Sequence, residues 1–133
     1  MPTPKKERTL KLWEKTCFEL FIKNVRNEYL EFNLSPRFEW NCFYFKNKGD
    51  PLHEWSQMQR PETDILLSLE KFFLVCEIKK EYFPENFVTE ANTMSIGISS
   101  VIKMKNGDMT YWALSHEDSK PNFHHFDSFK YKF

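Results

Sequence analysis

Glycine, net charge and long apolar runs are all scarce in this sequence. Only 3 of the 133 residues are glycine, and no glycine-rich loop of the kind that holds phosphate groups is present. The 19 basic side chains balance the 19 acidic ones, so neither a nucleic-acid partner nor binding to an anionic membrane is predicted. No window approaches the ~18 apolar residues that span a bilayer, and no signal-peptide pattern follows the N-terminus. These absences predict a soluble, cytoplasmic protein.

Cysteine is also too sparse to build a framework. Cys17, Cys42 and Cys76 are odd in number, far apart and without C-x-x-C spacing, which argues against a disulfide network or a zinc knuckle. No histidine or asparagine pattern accompanies them, and no G-x-S-x-G motif is present. We therefore expect small, buried, reduced thiols and no catalytic nucleophile.

Aromatic residues, in contrast, are abundant. They make up 17% of the chain, and such a composition favours strands over helices. The length fits one domain with a single core. We expect that domain to occupy residues 1–133, with residues 1–11 as a loose lead-in.

Two alternating stretches predict a β-hairpin over residues 17–34. Its apolar face would carry Phe18, Leu20, Ile22, Leu30, Phe32 and Leu34. Because successive strand residues point to opposite faces, the second face would carry Glu19, Phe21, Tyr29, Glu31 and Asn33. Asn33 should then lie opposite Glu19, on a face that is both polar and aromatic.

Later segments are less uniform. The stretch WNCFYF at 40–45 predicts a third strand that is buried on both faces. Ile65, Leu69, Phe72 and Cys76 recur at helical spacing, so periodicity alone favours a helix there.

A second hairpin is predicted around Asn106–Gly107, which suits a two-residue turn. Pairing Lys105 with Asp108 would place Val101 opposite Trp112 and Ile102 opposite Tyr111. One of the two aromatic residues should then leave the core.

Together, LWEKTCFELF, YLEFNLSP, WNCFYF and the segment from 96 to 129 resemble DOMON-like proteins related to family 9 carbohydrate-binding modules. The resemblance runs from Leu12 onward and rests on ordered motifs, among them Y-x-E-x-N-x-S-P, YWAL-x-H and P-x-F-H-H. It implies an all-β antiparallel sandwich, in which residues 65–80 form two short strands hinged near Glu70 and Lys71. Only eleven residues precede Leu12, whereas family members have further strands there. An open sheet edge and self-association through it are therefore expected.

The resemblance also implies a sugar site. Modules of this family hold a sugar between two aromatic side chains, and Trp13 matches the first of them, with Glu19 as a polar contact beside it. Phe123 and His124 occupy the region of the second wall, which is a tryptophan in the family. Asn33 would lie on the floor beside Glu19, with Trp112 or Tyr111 behind.

The histidine-rich C-terminal stretch leaves three interpretations open. His116, His124 and His125 could bind a metal ion, support a loop through backbone hydrogen bonds, or line the pocket. Other DOMON domains bind haem through methionine and histidine, but no spacing here singles out such a pair. We expect neither a metal nor a cofactor.

Enzymatic activity is not expected either. Glu19 and Glu31 are paired carboxylates that could in principle hydrolyse a glycosidic bond, but the predicted strands offer no evident cleft between them. The sequence thus predicts a non-catalytic domain that binds a sugar or a sugar-containing metabolite. The alternatives are a protein-interaction domain that adds a partner strand to its open edge and, third, a metal-dependent enzyme.

Overall fold

Eight β-strands make up the regular structure of residues 7–89, 94–113, 122–129 and 131–132, the residues that the computed structural model describes. They are β1 Cys17–Lys23, β2 Tyr29–Leu34, β3 Trp40–Phe45, β4 Glu62–Leu67, β5 Phe72–Glu77, β6 Ser95–Lys103, β7 Met109–Ala113 and β8 Tyr131–Lys132. Three single turns of 3₁₀ helix cover Leu12–Glu14, Lys80–Tyr82 and Phe126–Ser128. Within these residues no helix is long and apolar enough to cross a membrane.

The strands form two antiparallel sheets. The larger sheet has six strands in the order β3-β2-β1-β6-β7, with β8 also paired to β6, and the smaller sheet consists of β4 and β5. The predicted all-β, antiparallel, sandwich-like fold is thus confirmed.

The β1–β2 hairpin has the predicted register. Phe18 pairs with Leu34 and Leu20 with Phe32, while Glu19 pairs with Asn33 on the opposite face. The apolar face packs against β4–β5 and residues 55–58 and 82–87, with Leu30, Phe32 and Cys42 fully buried in that core. We call the other side of the sheet the cavity face.

The cavity face has its own aromatic core. Phe21, Tyr29, Phe43, Phe45 and Phe129 are buried there. They lie beneath two covering segments, the 3₁₀ turn at Leu12–Glu14 and residues 122–129. Both faces of β3 are consequently buried, as predicted from its sequence.

Residues 65–80 do not form the helix that their periodicity favours. The Ser68 amide donates to the Lys71 carbonyl at 2.9 Å, and the Ser68 hydroxyl accepts from the Lys71 amide at 3.0 Å. This turn joins β4 to β5. The two short strands and the hinge near Glu70 and Lys71 therefore agree with the expectation drawn from the family resemblance.

The β6–β7 hairpin differs from its predicted register by one residue. The Met104 amide donates to the Asp108 carbonyl at 2.8 Å, so the loop has three residues instead of two. Gly107 adopts a φ of +93° in that loop, a conformation that glycine tolerates best. Val101 consequently pairs with Tyr111, and Trp112 pairs with Ser100.

The outer edge of β3 is covered by the chain itself. Thr9 donates to the Trp40 carbonyl at 2.8 Å, and Trp40 donates to the Glu7 carbonyl at 3.1 Å. The Arg8 guanidinium lies 4.3 Å from the centre of the Trp40 ring and donates to two backbone carbonyls within residues 55–58. The lead-in, expected to be loose, is therefore attached to the sheet from Glu7 onward.

Candidate functional site

A cavity of about 560 Å³ opens on the cavity face, between the Leu12–Glu14 turn and residues 122–124. Its lining combines aromatic rings with charged groups and consists of Trp13, Glu19, Tyr29, Glu31, Phe45, Lys48, Gly49, Asp50, Leu52, Asn122 and His124. Glu19 and Glu31 come from the two strands of the central hairpin, so their carboxyl groups form the floor. No evident cleft was expected between these two residues, and that expectation is wrong.

The two floor carboxyl groups are diagonal neighbours. Glu19 pairs with Asn33, and Glu31 pairs with Phe21 two positions further along the ladder, which places both carboxyl groups on the same face. Glu19 is 7% exposed and Glu31 is 3% exposed. The Ser99 hydroxyl donates to Glu19 Oε2 at 3.1 Å, whereas Glu31 Oε1 faces His124 Nε2 at 3.2 Å.

Burial changes the protonation of this pair. Loss of hydration raises the pKa of Glu19 to about 7. Loss of hydration and then the adjacent Glu19 charge raise the pKa of Glu31 to about 8. Because two carboxylates in one site repel each other, their titrations are linked, and the pair still holds a proton at neutral pH.

His124 lines the cavity next to Glu31. Its Nδ1 lies 2.9 Å from the Tyr29 hydroxyl, and its Nε2 lies 3.2 Å from Glu31 Oε1. Burial and then the charge of Lys48 lower the pKa of His124, so the neutral ring is favoured. In the tautomer with the proton on Nε2, Tyr29 donates to Nδ1 and the Nε2 proton faces Glu31.

Contacts between aromatic rings form the walls of the cavity. Trp13 meets Phe43 edge to face with a centroid distance of 6.0 Å, and Tyr29 stacks on Phe45 at 4.5 Å. The side chain of Trp13 is only partly buried, which leaves ring surface available to a ligand. The arrangement can therefore stack a flat apolar face and accept or donate hydrogen bonds at the floor.

Three of the six residues predicted for the site come together in the cavity lining, namely Trp13, Glu19 and His124. Asn33 lies opposite Glu19 and is fully buried, but it does not line the cavity. Phe123 does not line the cavity either. It borders a separate small pocket with Phe21, Gly97 and Ser99.

Trp112 does not line the cavity. It is 62% exposed and pairs with Ser100, which itself pairs with Phe18 on the apolar face. The one-residue difference in register places Trp112 on the side of the sheet opposite the cavity. Tyr111 is on the cavity face, where its ring lies 6.2 Å from that of Phe123.

The histidine cluster can be placed only in part. His124 lines the cavity, whereas the Nδ1 atom of His125 accepts a hydrogen bond from the Asp127 amide at 3.3 Å. Among the residues with described positions, no three histidine, cysteine, aspartate or glutamate side chains are grouped to hold a metal ion. His116 lies outside the described residues.

Eight lining residues were missing from the predicted site, among them Tyr29, Glu31, Phe45 and Lys48. The hairpin alternation already placed Tyr29 and Glu31 on the face of Glu19, so it held the signal for those two. Phe45 follows from extending the same alternation across β3, since it pairs with Tyr29. No local pattern marks Lys48, which lies in the loop after β3.

Comparison of the chain with protein-family models, with curated proteins and with solved structures found no match.

Proposed function

We propose that this is a non-catalytic domain that binds a sugar or a sugar-containing metabolite in the cavity on the cavity face. The observation that carries the proposal is an aromatic wall, Trp13, beside two buried carboxyl groups, Glu19 and Glu31, in one cavity. A volume of about 560 Å³ is within the usual range for small-molecule sites. The resemblance to DOMON-like carbohydrate-binding modules is consistent with this function.

The chemistry of a sugar fits these walls. The apolar face of a pyranose can stack on an indole, and burying about 100 Å² of apolar surface contributes roughly 2.5 kcal/mol. Sugar hydroxyls can donate to an ionised carboxylate and accept from a protonated one. One stacked ring and two or three such bonds give dissociation constants of roughly millimolar to micromolar.

Binding is favoured over catalysis by the position of the two carboxyl groups. Glycosidases place their two carboxyl groups on either side of the scissile bond. Here both groups come from adjacent strands of one hairpin and project from the same floor. Such a pair can hold hydroxyls from one side of a sugar but does not flank a bond.

Thermal-shift measurements with sugars, nucleotide sugars and haem test the proposal, because a ligand that binds the folded state raises its stability. Isothermal titration of the best ligand should then show that Trp13→Ala and Glu19→Gln each weaken binding at least tenfold, or about 1.4 kcal/mol. Trp112→Ala is the matched control, since it removes an exposed tryptophan from the opposite face. It should bind like the parent.

Equal affinities for all four proteins would place the site elsewhere. If no ligand binds and Trp13→Ala unfolds the protein, Trp13 belongs to the core and a protein-interaction function takes the place of the proposal. One observation favours that second function, because the β4–β5 hairpin and its turn expose a run of large apolar side chains. They are Leu66, Leu67, Leu69, Phe72, Phe73 and Val75.

A further inference from the structure

We infer that the ligand of this cavity carries a positively charged amino group, which the buried carboxyl groups of Glu19 and Glu31 hold while the surrounding aromatic rings cover it. The inference rests on the proposed function for the location of the site, and within the proposed class it specifies an amino sugar. A neutral sugar would use the stacking wall but would leave the acidic floor without a counter-charge.

The charges around the cavity favour a cation. Its lining contains three acidic side chains, Glu19, Glu31 and Asp50, and one lysine, Lys48. No ion pair joins Lys48 to either floor carboxyl group among the described contacts. The Lys48 ammonium instead lies 5.7 Å from the centre of the Phe126 ring.

Glu31 presents a buried acidic group to the cavity. It is 3% exposed and lines the cavity. Its Oε1 atom lies 3.2 Å from His124 Nε2, but the lowered pKa of His124 favours a neutral ring, so this contact supplies no counter-charge. A ligand ammonium group at the floor would supply the opposite charge.

The aromatic walls of the cavity also favour an ammonium group. Trp13, Tyr29 and Phe45 line the cavity together, and the faces of such rings attract cations within about 6 Å of their centres. An ammonium group held at the floor would therefore lie among ring faces that add to its attraction.

The affinity for a cationic ligand should depend on pH. The groups that face the floor are Cys17, Tyr29, His124, Lys48 and Asp50, and burial raises the pKa of the Cys17 and Tyr29 groups, so both stay neutral. A cation favours the ionised form of a carboxyl group, and binding should therefore expel a proton from the Glu19–Glu31 pair. Affinity should rise by about tenfold per pH unit wherever one proton is released for each ligand bound.

Tetramethylammonium is a suitable first probe because its charge does not change with pH. Its affinity, measured by titration calorimetry, should increase from pH 6 to pH 8, with proton release visible in buffers of different ionisation enthalpy. Glucosamine and glucose form a matched pair that differs by one amino group. At pH 7 glucosamine should bind at least tenfold more tightly than glucose.

Glu31→Gln and Glu19→Gln should each lower the affinity for tetramethylammonium at pH 8 at least tenfold. Glu62→Gln is the control, because Glu62 is an exposed carboxylate on β4. Melting temperatures without ligand show whether each variant is folded, and removing a buried charge should not lower them at pH 8.

The outcomes separate this inference from the proposed function. Equal affinity for glucose and glucosamine overturns the inference and leaves the sugar site intact. Binding of tetramethylammonium but of neither sugar supports the cation and overturns the sugar proposal. If no probe binds, or if affinity for tetramethylammonium does not change with pH, the inference is wrong.

Discussion

Glu19 and Glu31 connect the cavity to the stability of the fold at the scale of single residues. Burial raises the pKa values of Glu19 and Glu31 to about 7 and about 8, above the value of about 4.3 for a free glutamate. Between these limits the folded state binds more protons than the unfolded state. The free energy of unfolding contributed by the pair is therefore largest at acidic pH and decreases as the pH rises through 7 and 8.

Glu31→Gln tests this directly, since glutamine has nearly the same shape and no charge. Relative to the parent, the variant should gain stability as the pH is raised from 5 to 8.5, by about 1.4 kcal/mol per pH unit for each excess proton. Urea denaturation at several pH values measures the difference. In the parent protein, the lowered pKa of His124 acts in the opposite direction.

The exposed Glu62→Gln variant should show the same pH dependence as the parent. If Glu31→Gln also follows the parent across this range, then Glu31 is not held as a protonated, buried acid.

Sequence alternation predicted Glu19 and Asn33 correctly as cross-strand neighbours because one face of their hairpin is strictly apolar. It could not predict the contact between His124 and Tyr29, because these residues lie 95 positions apart. No local pattern shows that the C-terminal segment folds back onto this hairpin. Trp13 was assigned to the predicted site only through the family resemblance, since a tryptophan at this position is equally suited to a core.

At the scale of elements, the turns decided which registers could be predicted. The β1–β2 register follows from its side-chain pattern, whereas the β6–β7 register depends on whether the Asn106–Gly107 loop has two or three residues. A one-residue difference exchanges the faces of every side chain on β7. That exchange places Trp112 on the side of the sheet opposite the cavity.

The helical periodicity of the β4–β5 region gave a wrong prediction for a different reason. Its inward side chains, such as Leu74 and Cys76, contact the core, but the outward Leu66 and Phe73 are apolar as well. With apolar residues on both faces, the period of two is hidden, and the spacing of a helix appears by coincidence.

The contact between β6 and the C-terminal segment gives a sharp prediction. A Cβ atom at Gly97 would come within 2.3 Å of the Phe129 ring, and Phe129 stacks on Phe21 in the aromatic core. Gly97→Ala should therefore lower the free energy of unfolding by about 1 to 3 kcal/mol, measured by urea denaturation.

The double mutant with Phe129→Leu is the control. If the ring causes the clash, Gly97→Ala should cost clearly less in that background. An equal cost in both backgrounds would show that the strand itself, and not Phe129, excludes the side chain.

At the scale of the whole molecule, the two faces of the large sheet pack against different parts of the chain. The apolar face packs on β4–β5 and its neighbouring loops, and it forms the larger core. The cavity face packs on two short segments, Leu12–Glu14 and residues 122–129, which leave space above Glu19 and Glu31. Segments without extended pairing can adjust to a ligand at less cost than strands of a sheet.

Three of the four tryptophans lie at distinct places on the two faces of the large sheet. Trp13 lines the cavity, Trp112 lies on the opposite face, and the indole of Trp55 donates to the Tyr82 carbonyl at 2.7 Å. Each indole N–H gives its own signal in a proton–nitrogen correlation spectrum. A titration that follows these signals therefore locates a ligand within the molecule.

That titration, carried out with glucosamine, is the sharpest test of a sugar site between Trp13 and the floor carboxyl groups. The Trp13 indole signal should move and saturate, while the signals of Trp112 and Trp55 remain in place. Saturable movement of Trp112 or Trp55 with Trp13 unchanged, or no movement of any of the four signals up to the solubility of the sugar, would rule out binding in this cavity.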